Sequence, residues 1–107
     1  MTVIGSLTKS RGKALNKIVL ETATGPSANV NVGAASTADV SISISSDLKH
    51  DIQSIETVKV AGLPANISVS QVNFSSTAIT LRATNPTADA ITITANSLTV
   101  TYIAVGS

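Results

Sequence analysis

His50 is the only histidine of the chain, and it stands between Asp47 and Asp51. Imidazole and carboxylate are ordinary zinc ligands, but a metal site usually needs about three or four convergent protein ligands. No cysteine and no second histidine is present to complete the set. A polar loop produces the same trio by chance, so this stretch reads as a solvated loop and no metal is expected. Serines are abundant, yet nucleophilic catalysis requires a histidine, an acid and an oxyanion donor converging on one of them. Asp39, Asp47, Asp51, Glu56 and Asp89 could supply an acid/base pair, but none lies in a recognisable motif, and turns favour Asp for backbone reasons. There is no glycine-rich phosphate loop. Neither a catalytic residue nor a cofactor is expected.

Three further groups could carry chemistry. Asn66-Ile67-Ser68 and Asn73-Phe74-Ser75 match the N-glycosylation sequon, and in an Asn/Ser-rich chain both read as chance matches. Arg82 sits within an alternating run and faces outward with Thr80 and Thr84. There it is either a cross-strand or inter-subunit ion pair or a lone solvated charge. Lys9, Arg11, Lys13 and Lys17 give residues 1–20 four cations and no carboxylate, whereas residues 21–107 hold three cations and six acids. Gly5, Gly12 and scattered Ser and Thr argue against a firm helix here, although residues 13–20 could make a short turn. The segment reads as an extended basic arm. It could lie on a partner's surface, be a solvated tail or touch nucleic acid. Without an aromatic platform nucleic acid is the least favoured, and a protein partner the most.

The elements that would position these groups are strands. A chain of 107 residues makes one domain. Hydrophobic residues are 43% of it, with one Phe, one Tyr and no Trp, so the core must be aliphatic and a homo-oligomer is the expected way to gain burial. Only 12% of residues are charged against roughly 25% in an ordinary soluble domain. Ser, Thr and Asn cover the outward positions, a surface that packs against neighbours with little charge to desolvate. No cysteine means no disulfide framework. The N-terminus lacks the apolar run of a signal peptide and no segment reaches the length of a membrane span, so synthesis in a cytoplasm and no membrane partner are expected.

Along the chain, Ile18-Val19-Leu20 is a short apolar run that could be the first strand, and Gly25-Pro26 marks a turn. Asn29 to Gly33 alternates. Asp39-Val40-Ser41-Ile42-Ser43-Ile44 alternates cleanly, with the aliphatic residues on one face and the serines on the other. Residues 46–54 read as an exposed loop, with one helical turn capped by Ser46 or Asp47 as an option. A strand resumes at Ile55, with Val58 and Val60 either side of Lys59, and turns at Gly62-Leu63-Pro64, where Gly62 is free to take a positive φ. Alternation then dominates residues 66–104, broken at Ser75-Ser76-Thr77, at Asn85-Pro86 (a type I turn) and at Ala95-Asn96-Ser97. The sum is an all-β fold, an antiparallel β-sandwich or jelly roll of about seven or eight short strands over residues 21–107, preceded by the arm of residues 1–20.

The runs Val58-Lys59-Val60-Ala61-Gly62-Leu63-Pro64-Ala65, Val69 to Ile91 through Thr84-Asn85-Pro86-Thr87, and Leu98-Thr99-Val100-Thr101-Tyr102 resemble small β domains of tailed-bacteriophage structural proteins, such as capsid decoration (cement) proteins and fibre-tip domains. The similarity covers residues 58–104 and carries over no individual site residue. It implies a non-enzymatic virion protein on the capsid surface, often a homotrimer. Such a protein would bridge neighbouring subunits of the major capsid protein, with Lys9, Arg11, Lys13 and Lys17 as the partner-binding residues. The alternative is a fibre-tip or tail/neck domain that binds a receptor or glycan. Glycan sites usually present aromatic rings, and Phe74 and Tyr102 are the only ones here.

Overall fold

The structure, a computed structural model, describes residues 2–7 and 16 through their backbone and residues 17–48 and 51–107 in full. Among the described residues there are nine strands: β1 (Thr2–Leu7), β2 (Asn16–Gly25), β3 (Val30–Val32), β4 (Ser36–Ser43), β5 (Ile52–Ala61), β6 (Ser68–Phe74), β7 (Ala78–Asn85), β8 (Ile91–Ile93) and β9 (Leu98–Gly106). They form a four-stranded sheet in the order β1-β2-β9-β5, a three-stranded sheet β4-β7-β6 and a two-stranded ribbon β3-β8. Every pairing is antiparallel. The all-β sandwich read from the sequence is the fold.

Alternation builds the core. Leu98, Val100, Tyr102 and Ala104 of β9 turn inward and are buried, as are Ile79, Leu81 and Ala83 of β7 and Val40 and Ile42 of β4. Thr99, Ser41, Ser43 and Thr84 between them are exposed. Each aliphatic side chain removed from water contributes about 1.5–3 kcal/mol, and truncating one such as Ile79 to Ala costs about 2–5 kcal/mol because the cavity closes only in part. The β3-β8 ribbon continues the sandwich where β2 and β7 end and β4 and β9 begin, and it touches β4 and β7. Gly62 takes a φ of +91° as expected, and a Cβ there would overlap the carbonyl oxygen of Ser97.

Two expectations change. The sequence places the basic arm over residues 1–20, with Ile18-Val19-Leu20 as a candidate first strand. That run is in a strand, but the strand is β2 and starts at Asn16, and β1 lies alongside it with Val3 opposite Val19. Val19 is wholly buried, which draws this stretch into the sandwich. The strand expected to resume at Ile55 begins at Ile52. Its inward residues are Ile52, Ile55, Thr57 and Val60, opposite Gly106, Ala104, Tyr102 and Val100. Bulges at Gln53 and Val58 cause that uneven spacing, and Val58 is 57% exposed as a result. Finally, the Ser46 Oγ accepts from the Leu48 N–H at 3.1 Å, while the helical turn offered for this loop would run into positions 49 and 50, outside the described residues.

Candidate functional site

The bulges follow a rule. Each register shift falls on an edge strand: at Ile4 of β1, Gln53 and Val58 of β5, and Val72 of β6. The interior strands β2, β9 and β7 run without interruption. An edge strand carries unpaired backbone groups, and a bulge bends it away from regular pairing with another chain. Two of these edges, β5 of one sheet and β6 of the other, approach each other along one side of the sandwich.

Between them lies an open groove of about 680 Å³. Residues 56–60 of β5 form one wall and residues 68–71 of β6 the other, while Leu63, Ile67 and Leu81 supply apolar lining. Val58 and Val72, the two large hydrophobic residues most exposed among those described, stand at the bulges of the two walls. Gln71 spans the groove at one level. Its Oε1 accepts from the Thr57 N–H at 2.8 Å and the Thr57 hydroxyl at 2.6 Å, and its Nε2 donates to the Ile55 carbonyl at 2.7 Å. Gln71 sits opposite Leu81 at an inward position. An amide there replaces the missing neighbour strand for two residues of β5 and leaves the rest of the concavity open. The groove has the size to take side chains of a docked segment, and its lining mixes Val, Leu and Ile with Ser, Thr, Gln, Glu and Lys in about equal measure. Glu56 and Lys59 on its wall carry one charge of each sign.

A polar cluster lies elsewhere. Glu21 of β2 faces inward and is only 7% exposed. Its Oε1 accepts from the Ser46 hydroxyl at 2.7 Å and its Oε2 from the Asp47 N–H at 2.9 Å, which fastens the loop after β4 to β2. Tyr102 is the register partner of Glu21. Its hydroxyl is enclosed beside the Glu21 carboxylate without a bond of acceptable geometry to any described group. Burial first, then the charge and hydrogen-bonding pull of Glu21 and the charge of Asp47, hold the phenol proton well above the ordinary range.

The residues singled out from the sequence are scattered over the molecule. Among the described residues no three of His, Cys, Asp and Glu converge. His50 lies outside the described residues, as do Lys9, Arg11 and Lys13. Lys17 is exposed on β2, opposite Gly106. Asp47 joins the Glu21 cluster through its backbone, and the Asp51 backbone pairs with Ser107 at 2.8 and 3.2 Å. Arg82 and Asp39 meet across β7 and β4, Nε to Oδ1 3.0 Å, with both side chains about half exposed. That is the cross-strand pair, one of the alternatives the alternation left open. Asn66 takes a φ of 70° in its turn, and the Asn73 Oδ1 accepts from the Phe74 N–H at 2.9 Å, so each sequon asparagine has a backbone role. Tyr102 is fully buried and Phe74 packs on the core. The Tyr102 ring is not displayed for sugar stacking, and the Phe74 ring is partly covered by the core.

Sequence inspection missed Gln71, Glu21 and Asn85. Asn85 ends β7 with no exposed surface. Its Nδ2 donates to the carbonyls of Asp89 at 2.8 Å, Val32 at 3.1 Å and Gly33 at 3.2 Å, while its Oδ1 accepts from the Thr87 N–H at 2.9 Å and the Thr87 hydroxyl at 2.7 Å. The available signal was a polar residue at an inward position of an alternating strand, which Gln71, Glu21 and Asn85 all are. Compared with protein-family models, curated proteins and solved structures, the chain matches none of them.

Proposed function

We propose that the chain is a non-enzymatic structural protein of a tailed-phage virion. In this role it is a capsid decoration protein, an oligomer that bridges neighbouring subunits of the major capsid protein and stabilises the shell. The observation that carries this reading is the surface. Outward strand positions hold Ser and Thr, as at Ser41, Ser43, Thr84 and Thr99, and an open groove of mixed polar and apolar lining runs between two bulged edges. Such a surface lies against other proteins at small desolvation cost, and its bulged edges resist strand-by-strand aggregation. A ligand that binds only the assembled shell shifts the equilibrium towards it by mass action. The basic residues Lys9, Arg11 and Lys13 add attraction for an acidic capsid surface.

The test is co-sedimentation with expanded phage heads. Deleting residues 1–17 would remove β1 and the start of β2, so the informative variant replaces Lys9, Arg11 and Lys13 with Ser in the full chain. The unaltered chain is expected to pellet with heads and to raise their disruption temperature, and the variant to bind more weakly. A chain that stays in the supernatant with heads and instead fractionates with tails, or binds a glycan array, would overturn the assignment.

A further inference from the structure

The outer face of the four-stranded sheet, which turns away from the core, has an apolar end. On β2 the residues facing outward are Ile18, Leu20, Thr22 and Thr24, and on β9 they are Val105, Ile103, Thr101 and Thr99. The register sets them side by side as Ile18–Val105, Leu20–Ile103, Thr22–Thr101 and Thr24–Thr99. Four aliphatic side chains therefore form two adjacent cross-strand pairs at one end, and four threonines cover the other. Ile18, Leu20, Ile103 and Val105 are each partly exposed, and none is among the described side chains that pack on the core.

This departs from the pattern elsewhere. On β4 and β7 the outward positions hold Ser, Thr, Asp and Arg, with one small apolar residue, Ala78, at the start of β7. Among the strands whose side chains are described, only Ile18-Val19-Leu20 and Ile103-Ala104-Val105 run three residues apolar on both faces, which is the composition of strands covered on both sides. We propose that this face is covered by a second copy of the chain, with the two-sided apolar segments of β2 and β9 at the centre of the contact.

An identical partner fits for two reasons. The quartet carries no charge, and the charges nearest it on the same face have opposite signs: Glu56 opposite Ile103 and Lys59 opposite Thr101. A face without net charge does not repel its own copy. The area is also right. Strands of six residues in β1 and nine or ten in β2, β9 and β5, about 4.8 Å apart at about 3.3 Å per residue, present roughly 550 Å² of flat sheet, and side-chain relief brings that nearer the ~800 Å² per partner of a stable interface. Gly5 stands beside Ile18 in the register of β1, so the sheet continues past the quartet with no side chain at that position. This contact stands whether or not the chain belongs to a virion. Failure to bind heads leaves it intact, and a monomer that binds heads overturns it, together with the oligomeric form of the decoration protein, while head binding itself stands.

The experiment is the mass of the full chain by light scattering across a dilution series, for the unaltered protein and for Leu20→Lys, Ile103→Lys and Thr24→Lys. The unaltered chain is expected to be oligomeric and to dissociate on dilution. A charge buried without a partner in the contact should raise the dissociation constant at least about 100-fold in Leu20→Lys and Ile103→Lys, while Thr24→Lys, at the threonine end, stays within about tenfold. Because the chain has no cysteine, Ile103→Cys supplies a second readout that keeps a small apolar side chain. Its thiol should react more slowly with maleimide as protein concentration rises. An unaltered chain that is monomeric at every concentration, lysine variants that fold and remain oligomeric, or thiol labelling independent of concentration would each overturn the proposal. Loss of head binding, in place of oligomer, on Leu20→Lys would assign the face to the capsid partner.

Discussion

Asn85 shows how one polar side chain can fix the meeting point of three segments. Its amide joins the end of β7 to the carbonyls that follow β3 and to the turn before β8, and the backbone adds Ala35 N–H to the Thr87 carbonyl at 2.8 Å. Leaving several buried carbonyls without donors costs about 1–3 kcal/mol for each group that water cannot reach. Asn85→Ala should therefore lower unfolding stability by about 3 kcal/mol in urea titration. Asn85→Asp should cost more at neutral pH, because a carboxylate would face the same carbonyl oxygens with no proton to donate. Tyr102 makes a different prediction. It is the only tyrosine, so tyrosinate absorbance reports it without interference. Its folded pKa is raised above the ordinary 10.0. The stabilising, protonated form is thus fully present below 10.0 and is lost as pH climbs beyond it, since the unfolded chain ionises first. Tyrosinate should appear together with loss of the β-sheet circular dichroism signal, and Tyr102→Phe should move that alkaline transition to higher pH. Ionisation well before unfolding would contradict the enclosed position.

Strands were legible where alternation was unbroken. Val40, Ile42 and Ile44 gave β4, and Leu98, Val100 and Tyr102 gave β9, because burial on one face imposes a period of two that any local sequence displays. Bulged strands were not. Inward positions 52, 55, 57 and 60 of β5 alternate only if one residue is skipped twice, and nothing in the local sequence marks the skip. On β6 the bulge at Val72 likewise moves Phe74 onto the inward face opposite Ile79. The polar residues that organise the sites were hidden for a related reason. Glu21 meets Ser46 and Gln71 meets Thr57 across segments far apart in sequence, so their function exists only once the sheets pack. Gln71 can be tested as an element of the edge. Removing its three hydrogen bonds in Gln71→Ala should cost about 2 kcal/mol and speed hydrogen exchange at the Thr57 amide, with the interior strands β7 and β9 unaffected. Unchanged exchange at Thr57 would mean that the β5 edge is held in another way.

The basic segment and the apolar quartet are separate surfaces, and the two contacts proposed for them should answer salt in opposite ways. The cations Lys9, Arg11 and Lys13 lie in a segment without carboxylates, whereas the quartet on the outer sheet face has none of either sign. Attraction between exposed charges is screened over a Debye length that shrinks from about 30 Å at 0.01 M to about 3 Å at 1 M salt. Burial of apolar surface is not weakened by screening, and salts excluded from protein surfaces strengthen it. Head binding through the basic segment is therefore expected to fall at least about tenfold between 0.05 and 0.5 M salt, while the oligomer mass holds constant or rises. Sulfate should favour the oligomer further. The Lys9, Arg11 and Lys13 to Ser variant should lose the salt dependence of head binding and keep the oligomer, and Leu20→Lys should do the reverse. If both contacts weakened together with salt, self-association would rest on charges and the apolar quartet would not be its centre. If head binding ignored salt, the basic segment would have no part in it, and the groove between β5 and β6 would be the surface to mutate next, beginning with Val58→Lys.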